Sequence, residues 1–132
     1  MSETLPRQKL LAAARAVRAR AHAPYSRFRV GAAVLDERGR IHAGCNVENA
    51  SYGLTVCAER NAIAAAVAAG ARRIRAVAVV SASAVTLCGA CRQVIAELAT
   101  AATAVLIASP KALISETNIR ALLPDAFTFR RR

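Results

Sequence analysis

Three cysteines stand where helices are expected to begin. Cys57 opens an alanine-rich stretch over residues 57–69 that closes at Gly70, the residue type that commonly ends a helix. Cys88 and Cys91 sit at the start of a second helical stretch, residues 89–99. Between the two lies residues 74–80, an unbroken apolar run rich in valine that suits a strand covered on both faces. Bringing two helix starts together across a buried strand calls for helices packed on a sheet.

The other segments fit that demand. Leu10, Ala14, Val17 and Ala21 recur at helical spacing, which predicts a first helix from about Pro6 to Ala23, broken by Pro24. Residues 30–35 and 40–48 read as two strands joined by a turn of hairpin length at 36–39. In the second of them Ile41, Ala43, Cys45 and Val47 alternate with His42, Gly44, Asn46 and Glu48, so the first set is expected in the core and the second on a polar face. Residues 104–108 read as a buried strand and 112–117 as a further one, and residues 119–123 as a helical turn stopped by Pro124. The predicted architecture is a single α/β domain over residues 1–132, a three-layer α/β/α sandwich around a mixed sheet of about five strands.

Composition narrows the class. Alanine fills 33 of the 132 positions and tryptophan none. Small side chains allow close approach but fill little volume, so tight packing and reliance on a subunit interface are expected. Nineteen basic against eight acidic residues give a net charge of +11, a level at which nucleic acid has to be considered. The basic residues fall in small groups along the chain, without the interleaved aromatics of a stacking platform, so a solvated basic surface is expected and nucleic acid is not the expected partner. No apolar run approaches the ~18 residues of a membrane span, and the N-terminus has no apolar export segment. A cytoplasmic chain with no membrane partner is expected, its four cysteines reduced and available to metal rather than paired as disulfides.

Cys57, Cys88 and Cys91 then read as ligands of a zinc ion. At helix N-termini free N–H groups and the positive end of the dipole favour thiolates, which zinc binds readily. Cys45 could supply a fourth sulfur and close a structural site. Its parity with Ile41, Ala43 and Val47 argues instead for a buried thiol, leaving three ligands and an open position, the arrangement of a catalytic zinc. Glu59 follows Cys57 by two residues. A first ligand, one residue and Glu, followed later by P-C-x-x-C, is the signature of zinc deaminases, among which three-cysteine sites occur; here Leu87 takes the proline's place.

Pro24-Tyr25-Ser26 with Phe28, Val30-Gly31-Ala32-Ala33, the run from Gly44 to Tyr52, Cys57-Ala58-Glu59-Arg60, Cys88-Gly89-Ala90-Cys91-Arg92-Gln93, and Leu122-Leu123-Pro124 with Ala126-Phe127 complete the pattern. With these segments spanning nearly its whole length, the chain resembles the cytidine deaminases of the small, homotetrameric type. The resemblance implies hydrolytic deamination of cytidine and deoxycytidine to uridine and deoxyuridine, with release of ammonia, as a step of pyrimidine salvage. One zinc ion per subunit would be held by Cys57, Cys88 and Cys91. It would lower the pKa of its bound water, Glu59 would take the proton, and hydroxide would attack C4 of the base; Glu59 would then protonate N3 and the departing amine.

The resemblance also implies that Arg60 hydrogen-bonds to a zinc-bound sulfur, with Gln93 a similar donor beside the site. Asn46 and Glu48 would grip the ribose 3′-hydroxyl, and Phe28 and Ala58 would line the substrate site. Phe127 would be placed against the base, and Tyr52 near the sugar, of neighbouring subunits, so that the homotetramer completes each active site. Leu87 stands where that family usually has Pro, which puts the loop before Cys88 and substrate choice in question. Other readings of the same residues are a related zinc deaminase acting on another aminated heterocycle, a modified nucleoside or nucleic acid, and a non-enzymatic zinc-stabilised binding domain. The basic tail from Thr128 to Arg132 has no functional account.

Overall fold

The computed structural model describes residues 4–129; Arg130, Arg131 and Arg132 of the basic tail lie outside the described residues. The elements run α1 (Arg7–Arg18), β1 (Val30–Asp36), β2 (Ile41–Cys45), a 3-10 turn (Tyr52–Leu54), α2 (Ala58–Ala68), β3 (Ile74–Ser81), α3 (Gly89–Leu98), β4 (Ala99–Ala108), β5 (Leu113–Asn118) and α4 (Ile119–Leu122). The five strands form one sheet in the order β2-β1-β3-β4-β5. Only β3 and β4 pair in parallel, through the α3 crossover, so the sheet is mixed as expected.

Helices cover both faces. Leu10, Leu11 and Ala14 of α1 pack on one face, against Ala33, Leu35, Ala76, Ala78, Val80, Ala104, Leu106 and Ala108. The opposite face presents Ala32, Val34, Val77, Val79, Val105 and Ile107 to Ala62, Ile63 and Ala66 of α2, Ile95 of α3 and Ile119 of α4. Alternation along each strand thus divides alanine from larger aliphatics, and α1 lies close where alanine predominates. A Cβ on Gly31 would lie 2.0 Å from the Ala14 carbonyl oxygen, so only glycine fits beneath α1 there.

Four boundaries or faces differ from the sequence reading. α1 ends at Arg18 rather than near Ala23, because His22 leaves the helix to pair beside residues 46–48: its N–H donates to Asn46 O at 3.0 Å and its carbonyl accepts from Glu48 N at 2.8 Å. For the same reason β2 stops at Cys45 rather than Glu48, and Val47 bridges His22 and Val56. β4 begins at Ala99 rather than 104; an irregularity in its pairing with β3 is stabilised by the buried Thr103 hydroxyl, which donates to Ile74 O at 2.7 Å. The faces of β2 are the fourth correction. Gly44 and Asn46 are buried, whereas Ala43 is exposed and Cys45 half-buried, because this edge strand is covered by α2 on its glycine side.

The hairpin turn is held by Asp36, whose side chain is fully buried. Its Oδ1 accepts from the N–H groups of Arg38 and Arg40 at 2.9 Å each, and its Oδ2 lies 2.9 Å from Arg40 Nε and 2.8 Å from His42 Nε2. Burial pushes this carboxyl up, but hydrogen bonds from His42, Arg40 and Arg38 outweigh it and hold the pKa well below the ordinary carboxylate range. A depressed folded-state pKa stabilises the protein at pH values above the ordinary carboxylate pKa, and that stability is lost as pH falls through the folded-state value. Asp36→Asn is therefore expected to cost about 1–3 kcal/mol at neutral pH. The difference from the unsubstituted protein, read from urea midpoints, should shrink steadily below about pH 4.

Candidate active site

Cys57 and Cys88 are the N-cap residues of α2 and α3, each in extended backbone, with ψ of 156° and 165°. Cys91 is the third residue of α3 and Arg60 the third residue of α2. Cap and third residue face each other across the first turn, the relation that a capping box uses. In α3 it brings Cys88 Sγ to 3.4 Å from Cys91 Sγ, and in α2 it brings Arg60 Nη2 to 3.5 Å from Cys57 Sγ. Because both helices start on the same side of the sheet, Cys57 Sγ also lies 3.8 Å from Cys88 Sγ.

Among the described residues these three thiols form a cluster able to hold a metal ion, their sulfurs all within 4.8 Å of one another. Tetrahedral zinc with bonds near 2.3 Å sets its sulfurs about 3.8 Å apart. The thiol separations fit that geometry, and so does the chemistry of the donors. A hydrogen bond from the Cys91 thiol, then one from Arg60, lowers the Cys57 pKa to about 5, and the same contact with Cys57, together with burial, pushes Cys91 up. One thiolate is thus already favoured, with two helix N-termini and a guanidinium beside it to balance the charge of three. Cys45 takes no part. It pairs across from Gly31, whose missing Cβ points at α1, and residues directly opposed in a sheet share a face, so Cys45 lies on the far side from the cluster. Cys45→Ala is expected to leave the zinc content of the purified protein unchanged, as metal analysis would show.

A cavity of about 230 Å³ opens beside the cluster, lined by Cys57 and Cys88 together with Phe28, Asn46, Ala58 and Glu59. Glu59 is 4% exposed. Burial, then the charge on Cys57, raises its pKa above the ordinary carboxylate value. A carboxyl disposed to hold a proton, beside a site for a Lewis acid and inside a small cavity, is equipped for general acid–base work.

Asn46 also belongs to this cavity, and its side chain holds the cavity's wall in place. Its Oδ1 accepts from Val30 N at 2.9 Å and its Nδ2 donates to Phe28 O at 2.8 Å, which leaves one N–H and one lone pair for a ligand. Glu48 instead borders an adjoining recess of about 400 Å³ with Tyr25, Ser26 and Tyr52; Thr55 lines both spaces. Its Oε1 accepts from Tyr25 N and Ser26 N at 3.0 and 3.2 Å, and its Oε2 accepts from the Ser26 hydroxyl. Those contacts, the Ser26 hydroxyl foremost, lower its pKa and keep it ionised, with a lone pair of Oε2 still free.

Gln93 donates from Nε2 to Phe127 O at 3.0 Å rather than to a sulfur. Phe127 is 68% exposed, its ring in edge contact with that of Phe129 at 5.3 Å, and does not line its own chain's cavity. Tyr52 is 76% exposed and meets Tyr25 edge-on at 6.1 Å. Spacing does not single out Val79, Val85 and Thr86, which with Val30 and Thr55 complete the cavity wall. The small-residue loop leading to Cys88 is the signal that locates Val85 and Thr86, since whatever precedes a ligand must also flank it.

Comparison with known proteins agrees with this geometry. Residues 5–107 match the model of the cytidine and deoxycytidylate deaminase zinc-binding region. The chain is 47% identical over 123 residues to a cytidine deaminase of Sporosarcina psychrophila, covering 92% of this chain and 90% of that protein. It is 48% identical over 126 residues to one from Halalkalibacterium halodurans, covering 94% and 96%. The crystal structure of cytidine deaminase from Burkholderia pseudomallei superimposes with a TM-score of 0.86 at 45% identity, covering 96% of this chain and all of that one, so the sandwich is that of the cytidine deaminases. A matching family model over most of the chain, curated relatives near half identical and a shared fold lead to one conclusion: the chain belongs to the cytidine and deoxycytidylate deaminase zinc-binding family.

Proposed function

We propose that this protein is a zinc-dependent hydrolase that converts cytidine and deoxycytidine to uridine and deoxyuridine, releasing ammonia. The observation that carries the reading is the buried Glu59 carboxyl in one small cavity with Cys57 and Cys88 of the three-thiol cluster. The relatives named cytidine deaminase support the substrate. Zinc on Cys57, Cys88 and Cys91 would supply Lewis acidity that activates water. Glu59 would accept a proton from that water, deliver it to N3 of the base, and pass the second to the departing amine. The balance is one water consumed, the C4–N bond broken, a C4–O bond formed and one ammonia released. Arg60 would offset the thiolate charge through Cys57, and Asn46 and Glu48 would accept or donate to a sugar hydroxyl with the capacity their internal contacts leave free. Removing the metal with a chelator should abolish turnover, and restoring zinc should recover it; turnover that survives complete metal removal would sink this reading.

The chain is read as a cytoplasmic enzyme of pyrimidine salvage working as a homotetramer. No helix among the described residues is long and apolar enough to cross a membrane. Support for the oligomer comes from α2, which exposes Ala64, Ala65, Val67 and Ala68 with no charged residue among them, and from exposed Tyr52 and Phe127. Under this reading Phe127 and Tyr52 complete the sites of neighbouring subunits. Co-refolding equal amounts of inactive Glu59→Gln and Phe127→Ala chains should then restore about a quarter of the native sites in randomly mixed assemblies. A mixture no more active than its separate components would contradict shared sites.

A further inference from the structure

Arg92 lies one residue beyond Cys91, and its guanidinium is engaged by carbonyl and hydroxyl oxygens rather than by the sulfurs. Its guanidinium spends three donors on three different places. Nε donates to Leu87 O at 2.8 Å, Nη1 to Leu122 O at 2.8 Å, and Nη2 to Thr86 Oγ1 at 3.3 Å. Thr86 lines the cavity and Leu87, 2% exposed, is the residue before Cys88. Leu122 ends α4, on the C-terminal segment that runs on to Phe127, whose carbonyl takes the amide of the next residue, Gln93.

The loop so held is not in a relaxed conformation. Ala84 has φ of 51°, a left-handed backbone that costs a residue with a side chain. Position 87 carries leucine, so no proline ring fixes φ before the ligand. What holds the segment is the buried Leu87 side chain, Ser81, whose carbonyl accepts from Ala84 N at 3.1 Å and whose hydroxyl accepts from Val85 N at 3.2 Å, and the Arg92 fork. A planar guanidinium with fixed donor directions can set three acceptors relative to one another, which an ammonium cannot do.

We propose that Arg92 is a positioning residue of the active site: by tying Thr86 and Leu87 to Leu122 it fixes Cys88 and the cavity wall, and it makes metal retention depend on the C-terminal segment. The fork acts through Cys88 and does not touch the metal or substrate.

The test is the rate at which zinc passes from the loaded full-length protein to a coloured chelator, measured where circular dichroism shows every variant folded. Arg92→Met, which keeps an unbranched stem without donors, should release zinc at least about tenfold faster, the scale on which partners of metal ligands act. Arg92→Lys should fall between the two, since one ammonium can serve only part of the fork. Both should raise KM for cytidine, through the displaced Thr86 wall. Arg40→Met is the control: it removes a clamp of similar kind, from Arg40 to Asp36 and to Ala69 O, at the opposite end of α2, and should leave release within about twofold of the unsubstituted protein. Zinc release from the Arg92 variants within about twofold of native, or equal acceleration by Arg40→Met, would overturn the proposal. Should Arg92→Met fail to fold, Arg92→Lys and Thr86→Val, which removes one acceptor, carry the test, and native release rates in both would overturn it equally.

Discussion

Glu59→Gln is expected to lower kcat on cytidine by about 10⁴-fold while zinc content and folding stay native. Glutamine keeps the volume and one acceptor but cannot carry a proton, and the proposed cycle moves protons through this side chain twice. Two transfers through one group put the loss at or beyond the upper end of what a single acid–base group contributes. The environment sharpens the expectation. At 4% exposure, Glu59 is shielded from bulk water that could substitute for the lost carboxyl, and Glu48 lies in the adjoining recess with its oxygens engaged by residues 25 and 26. Steady-state kinetics alongside metal analysis checks both halves of the prediction: a variant that keeps zinc and also keeps turnover within tenfold of native would remove Glu59 from the chemistry.

Gly44→Ala should have the largest effect on stability that also reaches the site. A Cβ at this position would lie 2.4 Å from Ala62 N and 2.9 Å from Ala58 O. Both are backbone atoms of α2, so no side chain can rotate aside, and the helix itself has to move off the sheet. Overpacking of this kind costs about 1–3 kcal/mol where side chains can adjust, and the rigid neighbours here place the expected loss above about 3 kcal/mol. Because α2 carries Cys57 at its cap and Glu59 in its first turn, the displacement should also weaken zinc binding. Gly31→Ala offers the contrast. Its Cβ would strike the Ala14 carbonyl at 2.0 Å, on the α1 side, so it should destabilise at least as strongly while whatever protein folds retains zinc. Urea unfolding with metal analysis of the folded fraction separates the two effects.

The parts of the site that sequence made legible are those in which neighbours along the chain decide the geometry. Cys88 with Cys91 is a cap and third-residue pair, so three-residue spacing at a helix start places the two together, whereas the contact of Arg60 with Cys57, of the same geometry, follows from the family resemblance and not from spacing. The valine-rich β3 and the turn at Asp36 were legible for similar local reasons. Where tertiary contact decides, local pattern misleads. Parity put Cys45 in the core, yet β2 is an edge strand and α2 covers its glycine face, where the lack of a side chain allows a helix to settle. Period-two alternation puts Asn46 and Glu48 on one strand face, whereas β2 ends at Cys45; Asn46 lines the cavity and Glu48 the adjoining recess, and the two spaces meet at Thr55. Gln93 went to Phe127 because the C-terminal segment folds back over α3, and the Arg92 fork depends on the same return of the chain. Neither contact has a spacing that could announce it.

The most direct test of the central claim is deamination in water enriched in oxygen-18. Zinc-loaded protein incubated with cytidine, and separately with deoxycytidine, should yield uridine and deoxyuridine carrying the heavy oxygen at C4, with one ammonia released for each nucleoside consumed. Unchanged nucleosides in the presence of folded, zinc-loaded protein, or product without the label, would contradict hydrolytic deamination at this site.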